Sequence, residues 1–301
     1  MAVGLEDIKK LRTMTGAGLG DCKKALTEAN GDIEAAIEII RKKGQAVAAK
    51  RSDREAAEGC VLCKYENGFA AIIALKCETD FVAKNADFVK LAQDILDVAV
   101  ANKCKSLDEV KALPMAGHTV ADAVTDRSGI TGEKMELDGY SFIEGENVSV
   151  YDHMGRHMLC TMVQTNKPAE EQAHNIAMQV AAMNPVALDE ASVPAEVVEH
   201  EKTILAAQMK EDPKMASKPE AVLAKIAAGK MGKYYKENCL VDQEFVRSDL
   251  FQGDVKGYVA SVAKELGTEI KLNGFIRMMK GDGLEKREEN FAEEIAKQIN
   301  G

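Results

Sequence analysis

Several residues of this chain have types and spacings that could support redox or metal chemistry. Cys60 and Cys63 form one C-x-x-C pair in the segment GCVLCKY. The segment alternates like a strand, on which residues three apart point to opposite faces, and no second pair completes a four-cysteine zinc site. We therefore expect the seven cysteines to be reduced thiols that pack as small apolar side chains, without a disulfide framework.

The glycine cluster and the histidines give equally weak catalytic signals. TGAGLGD at 15–21 looks like the start of a dinucleotide-binding loop, but Asp21 occupies the third glycine position and the preceding segment has helical periodicity. His153 and His157 flank a predicted hairpin turn with no carboxylate between them, so a surface or partner-facing role is favoured over metal binding. No pattern assembles a nucleophile, a base and an orienting group. We predict a binding protein that uses no cofactor or metal and is not an enzyme.

The segment ETDFVAKN, residues 78–85, places an aromatic side chain where a predicted strand gives way to a helix. Thr79 or Asp80 can accept hydrogen bonds from the free N–H groups of a helix's first turn, so capping explains either residue without a function. Capping cannot explain Phe81. Its ring is either packed in the core, for example as a staple on the following turn, or offered to a partner.

An internal repeat bears on that choice. AEGCVLCKYE and FAAIIALKCET alternate around Asn67-Gly68, a strong hairpin signal, and a helix with apolar residues at helical spacing follows. ENVSVYDH, RHMLCTMVQT and AEEQAHNIAMQVAAMN repeat this strand-strand-helix order. When the strand ends are aligned, Thr79 and Asp80 match Thr165 and Asn166, which carry the same kind of helix-capping oxygen, whereas Phe81 matches Lys167. The fold therefore does not demand the ring, and both interpretations of Phe81 stay open.

Helical periodicity dominates the flanks of this repeat. Three short helices precede it, followed by the basic stretch RKKGQAVAAKRSDR, which we interpret as a solvated linker or a helix end. The helical pattern at 185–231 predicts a protruding hairpin of two helices, whose narrow apolar face should pair with itself or with another chain. The predicted fold class is α+β, with these divisions: a three-helix module at 1–52, a first core half at 53–140, a second core half at 141–184 and 232–282, the hairpin at 185–231, and a C-terminal helix at 283–301.

Composition limits the partners. A chain of 301 residues with 46% hydrophobic and 29% charged residues can bury real cores and is too apolar to be disordered. Its formal charge of −10 disfavours nucleic acid and anionic membranes. The first residues lack the pattern of a signal or transit peptide, and no apolar run is long enough to span a bilayer, so we expect a cytoplasmic location.

Three stretches of the chain resemble the bacterial elongation factor Ts family. TGAGLGDCKKALTEANGDIEAAIEIIRKKG looks like its ubiquitin-associated-like amino-terminal module, CETDFVAKNADF looks like its signature, and HNIAMQVAA with DQEFV and GFIR looks like its second core half. The resemblance covers essentially the whole chain. GFIRMMKGDG departs from the family, since Met278 and Met279 stand where an aromatic and an acid are usual, and the connections around 102–140 are longer and different.

The resemblance implies a function and a set of residues. Members exchange guanine nucleotides on elongation factor Tu, in its GDP-bound and nucleotide-free states, and the signature tip pushes in beside the magnesium and phosphate site. Carried over, this tip is Thr79, Asp80, Phe81 and Val82. Leu11 and Leu19 would be exposed apolar contacts of the module, His153 is a further candidate contact, and a homodimer through the hairpin would give a two-plus-two complex. The competing hypotheses are a scaffold that binds Tu without exchange, and a thiol-dependent enzyme.

Overall fold

A computed structural model of the protein describes residues 3–115, 117–212, 214–215 and 218–282, so the predicted C-terminal helix lies outside the described residues. The fold combines helices with antiparallel sheets, which confirms the α+β prediction. No helix in the described part of the chain has the length and apolar character that crossing a membrane requires.

The amino-terminal module consists of three helices, α1 (Leu5–Thr15), α2 (Leu19–Glu28) and α3 (Ile33–Lys50). Asp32 begins α3, since its side chain accepts a hydrogen bond from the Ala35 N–H at 3.0 Å. The inward faces of the three helices form a separate small core. The basic stretch continues α3 instead of leaving it, so the helix-end interpretation is the correct one.

The first half of the core begins with the predicted hairpin of β1 (Glu58–Glu66) and β2 (Phe69–Cys77). Asn67 and Gly68 join them with φ of 50° and 75°, the left-handed conformations of a tight turn that matches strand twist. Every residue of β2 is buried because both of its faces are covered. A short helix and a long one follow: α4 (Asp80–Ala83) and α5 (Ala86–Ala101).

The connection after α5 supplies elements that the periodicity did not predict. They are α6 (Leu107–Ala112), the two-residue strands β3 (Pro114–Met115) and β4 (His118–Thr119), α7 (Val120–Thr131) and β5 (Met135–Glu144). Strand β5 pairs antiparallel with β2 and so makes β2 the centre of a three-stranded sheet, in the order β1-β2-β5. It also runs across the predicted boundary at residue 140.

The second half repeats this plan with a different third strand. Its elements are β6 (Val148–Asp152), β7 (Leu159–Thr165) and α8 (Glu170–Met183), completed by α11 (Val255–Glu265) and β8 (Leu272–Met279) from late in the chain. The sheet order is β6-β7-β8, so the strand before the helix is again central. The two sheets pack face to face, with Val61 and Ile72 of one in the same apolar cluster as Val148 and Met162 of the other.

The second helix of the inserted hairpin extends further along the chain than predicted. Its helices are α9 (Ala195–Glu211) and α10 (Glu220–Asn238), and α10 continues through Gly229 and Gly232, past the predicted end of the hairpin at residue 231. A helical glycine costs only about 1 kcal/mol relative to alanine. Tyr235, beyond the glycines, packs in an apolar cluster with Val197 and Val198 of α9, which gives the helix a reason to continue.

The module packs on the core through α3 and α7, two helices that cross at glycines. A Cβ atom on Gly129 would lie only 2.2 Å from the Cα of Gly44, so the two backbones touch. Beside this crossing, Arg41 lies 3.6 Å from a carboxylate oxygen of Asp122 and 3.5 Å from one of Asp126. Burial is the main cause of a raised pKa at Asp126, and Arg41 opposes it.

Candidate functional site

The candidate site begins where the central strand β2 leaves the first sheet. The Thr79 hydroxyl accepts from the Val82 N–H at 3.4 Å and so begins α4, as the capping interpretation predicted for this position. Helix α4 ends after one turn, and Asn85 then begins α5 through a hydrogen bond from the Asp87 N–H to its side chain. The signature therefore forms a separate helical turn before the long helix.

Phe81 lies on the outside of this turn. Its side chain is 84% exposed, the largest exposed fraction among the large apolar residues that the structure describes. Val82 and Ala83 point the other way and pack against the core of the first half. The core interpretation of Phe81 is thus wrong for the chain alone: Val82 anchors the turn and the phenylalanine ring faces solvent.

Asp80 lies beside the ring with its carboxylate at the surface. Lys84 donates a hydrogen bond from Nζ to its Oδ2 at 2.6 Å, one turn along the chain. This hydrogen bond is the main reason that the pKa of Asp80 is lowered, and the charge of Lys280 acts in the same direction. The tip therefore offers an apolar ring and a stable negative charge side by side.

The base of the tip is tied to two other parts of the molecule. Glu78 accepts two hydrogen bonds from the Arg51 guanidinium, at 3.2 and 3.0 Å, and one from the Lys134 N–H at 2.6 Å. Arg51 ends α3, so a charged contact joins the module to the residue before the tip. Glu133 binds Thr79 from the other side. Arg51 and Glu133 were not predicted as part of the site, because no local sequence pattern reveals partners 27 and 54 positions away.

The second half has a different arrangement at the equivalent place. Asn166, the counterpart of Asp80, accepts from the Lys271 N–H at 2.7 Å and donates to the Glu269 carbonyl at 3.1 Å. The expected capping of α8 by Thr165 or Asn166 is wrong, since α8 begins after Ala169 without a side-chain cap. Here the polar residues hold the chain that enters β8, and no helical turn protrudes.

Of the two module residues predicted to be exposed apolar side chains, one is exposed and the other is buried. Leu19 is 47% exposed at the start of α2, but Leu11 is fully buried in the module core, so it cannot be an exposed contact. The reason is periodicity: Leu11 follows Ile8 by three residues on the inward face of α1. Leu5 and Met14, which were not predicted as contacts, are 64% and 52% exposed.

His153 and His157 lie at the far hairpin of the second sheet. The Nδ1 atom of His153 is 3.0 Å from the Tyr151 hydroxyl, and that of His157 is 2.5 Å from Asp152 Oδ2. Met154 between them is 65% exposed. Within the described residues no group of three or more His, Cys, Asp or Glu side chains could hold a metal ion.

The thiols occupy the environments that alternation predicted. All seven cysteines are free, and Cys60 and Cys63 contribute to different apolar clusters on opposite faces of β1. Burial raises the pKa of Cys60 to about 12. A thiolate at neutral pH is thereby disfavoured at this position, which weakens the thiol-enzyme hypothesis.

Comparisons with known proteins agree with the architecture. The family model described as "Elongation factor TS" matches residues 78–282. The chain is 52% identical to the elongation factor Ts of Parabacteroides distasonis and of Bacteroides fragilis, each over 92% of this chain and 98% of the relative. It is 55% identical to that of Porphyromonas gingivalis over 82% of this chain and 89% of the relative. The protein belongs to the elongation factor Ts family of translation elongation factors.

Proposed function

We propose that the chain binds elongation factor Tu and accelerates the release of GDP, so that GTP can rebind. The observation that carries this proposal is the 84% exposure of the Phe81 ring beside the Asp80 carboxylate, on a turn that the fold repeat does not require. Family membership supplies the partner. An apolar ring kept in water gains free energy when a partner cleft buries it, which gives the insertion a driving force.

The proposed mechanism acts on the magnesium ion of the partner. Thr79 and Val82 hold the turn while Asp80 and Phe81 enter beside the nucleotide's magnesium and phosphate site. Magnesium neutralises phosphate charge, so displacing the groups that hold the ion weakens the hold on a diphosphate. Asp80 brings a negative charge toward that site, because an aspartate is ionised at neutral pH and the hydrogen bond from Lys84 lowers its pKa further.

The test is the release rate of labelled GDP from elongation factor Tu with and without this protein. We expect a large, saturable acceleration that needs no third component. A scaffold would bind Tu without changing the release rate. A thiol-dependent enzyme would show a saturable activity without Tu, and alkylation of the cysteines would abolish that activity. Either of these results would contradict the proposal.

We further propose that the module docks on the same partner through Leu19, together with Leu5 and Met14. These three apolar side chains are among the exposed ones and lie on α1 and α2, away from the packed face of the module. Leu19→Glu should weaken Tu binding without lowering the melting temperature of the protein. Unchanged affinity would remove Leu19 from the interface. His153 is a second-half candidate, to be tested by the same binding assay with His153→Ala.

The helical hairpin is proposed to bind a second copy of the chain. The two helices leave an apolar groove of about 520 Å³, lined by Leu205, Met209, Leu223 and Met231 among others. Replacing residues 202–231 with a short loop removes the groove and keeps the cluster around Tyr235. Light scattering should then report a smaller mass than for the full chain at the same concentration. Equal masses would exclude the hairpin as the self-association element.

A further inference from the structure

Glu133, on the turn between α7 and β5, holds the base of the signature tip with both carboxylate oxygens. Its Oε2 accepts from the Thr79 N–H at 3.1 Å, and its Oε1 accepts from the Thr79 hydroxyl at 2.6 Å. Hydrogen bonds to an ionised acceptor are the stronger kind, and two at once fix direction as well as distance. Thr79 is thereby held at both its backbone and its side chain.

Glu133 is itself held in place. Its carbonyl accepts from the hydroxyl of Ser128, which is 1% exposed, at 2.5 Å. Its N–H donates to the Thr131 hydroxyl at 3.3 Å, after Gly132 ends α7 with φ of 75°. The carboxylate therefore projects from a rigid turn, anchored in the helix on which the module packs.

Apart from the packing of Val82 and the hydrogen bond from Lys84 to Asp80, little fixes the outer part of the tip. Helix α4 has four residues, and an isolated helical turn is unstable because its nucleation is unfavourable. The capping hydrogen bond from the Val82 N–H to the Thr79 hydroxyl is long, at 3.4 Å. The Phe81 ring is 84% exposed, so the ring contributes little packing of its own. The direction of the ring therefore depends on how firmly Thr79 and Val82 are held.

We propose that Glu133 is a positioning residue for nucleotide exchange: it presets the Thr79–Val82 turn so that Phe81 enters the partner without a search for the right conformation. This inference rests on the proposed exchange function. Glu133 acts through Thr79 and need not contact the partner. Pre-organisation of this kind raises the rate because the ordering entropy is lost before binding.

The experiment combines GDP release with amide hydrogen exchange in the chain alone. Glu133→Ala should slow Tu-dependent GDP release by about tenfold or more, since it removes both hydrogen bonds to Thr79 and the loss of one charge-assisted hydrogen bond already corresponds to about that factor. Glu133→Gln should stay within about threefold of the parent, since an amide can accept from the Thr79 N–H and donate to its hydroxyl. The matched control is Glu144→Ala, which removes an exposed carboxylate from the far end of β5 and should leave release unchanged.

A double-mutant cycle separates positioning from general damage. In a Phe81→Ala background, Glu133→Ala should slow release no further, because the ring that it positions is gone. Independently, amide protons of Ala83 and Lys84, which are bonded to Thr79 and Asp80 carbonyls, should exchange faster in Glu133→Ala than in the parent. If alanine prevents folding, Glu133→Asp, which retracts the carboxylate by one methylene, is measured in its place.

The contradicting results are equally distinct. If the losses in GDP release rate from Phe81→Ala and Glu133→Ala add in the double mutant, the positioning role is overturned. Unchanged hydrogen exchange of the Ala83 and Lys84 amides in Glu133→Ala would overturn it as well. If the parent protein does not accelerate GDP release at all, the proposed function fails. In that case, faster amide hydrogen exchange in Glu133→Ala would still show that Glu133 stabilises the turn at the tip. Unchanged amide hydrogen exchange would still refute that role.

Discussion

The two halves of the core share one plan and differ in the residues that follow the central strand. In both, that strand lies between two antiparallel neighbours and leads toward a long helix. After β7, Asn166 satisfies the backbone of the segment entering β8. After β2, the chain instead makes an additional helical turn that presents Phe81 and Asp80 to solvent. The polar residue of the second half serves the fold, and the tip of the first half is available for a partner.

This difference has a structural origin in the segment between α5 and β5. The second half takes its third strand, β8, from late in the chain, whereas the first half takes β5 from a connection that also contains α7 and Glu133. Through α7 the first half also gains the contact with the module. The half that carries the exposed tip is therefore the half with the additional supports.

The largest effect on stability should come from a phenylalanine near the tip that belongs to the core. Phe88, seven residues after Phe81, is 1% exposed on α5. Phe88→Ala should lower the free energy of unfolding by about 3–5 kcal/mol, because it removes a buried ring and leaves a cavity. Chemical denaturation measures this. A loss no larger than that of Phe81→Ala would break the distinction between the two rings.

The helix crossing that supports the first half should be nearly as sensitive. Gly129→Ala places a methyl group against the Gly44 backbone, which no side-chain rotation can relieve, so we expect a loss of about 1–3 kcal/mol. Gly229→Ala is the matched control, since Gly229 is also in a helix but no atom beyond its own stretch of helix lies within 4 Å of the added Cβ. That control should be neutral or stabilising by up to about 1 kcal/mol. Equal effects of the two changes would refute the close crossing.

The polar residue of the second half should matter for folding more than its counterpart in the first. Asn166→Ala removes two hydrogen bonds to backbone groups and should cost about 1–2 kcal/mol of unfolding free energy. Asp80→Ala should leave the melting temperature unchanged, because its carboxylate is at the surface. Thermal melting of both variants checks the contrast. The reverse order of effects would show that Asp80 is the structural residue.

The smallest effect concerns the charge state of the tip. Lys84→Met removes the hydrogen bond that lowers the pKa of Asp80, so this pKa should rise toward its ordinary value. Any stability from the pair is present at neutral pH and is lost as the pH falls through the folded-state pKa of Asp80. A carboxyl NMR titration measures the shift. An unchanged pKa would mean that Lys84 does not hold Asp80 in solution.

Local patterns predicted the parts of the fold that local physics decides. The Asn67-Gly68 turn, the helical module and the repeated hairpins follow from turn chemistry and periodicity, and the comparison with the second half raised the question about Phe81. The sequence did not reveal β5 as the third strand, because its burial comes from pairing with β2. Leu11 was misplaced although its spacing from Ile8 already indicated the inward face of α1, because its role as an exposed contact came from the family resemblance alone.

For the candidate site too, sequence patterns predicted the local turn but not the long-range contacts that hold it. Thr79, Asp80, Phe81 and Val82 form one turn, as the segment suggested, and Val82 packs inward where the ring does not. The contacts of Glu133 and Arg51 join positions far apart in sequence, and helix or strand periodicity does not predict such contacts. Long-range polar contacts of this kind become visible only once the chain is folded.

The most direct test of the account is Phe81→Ala, measured for both stability and exchange. Unfolding free energy should change by well under about 1 kcal/mol, as for most surface substitutions. Stopped-flow release of labelled GDP from elongation factor Tu should slow by about 30-fold or more, the size of a hot-spot loss at an interface. A fall in stability like that of Phe88→Ala, with near-normal release per folded molecule, would contradict the central claim.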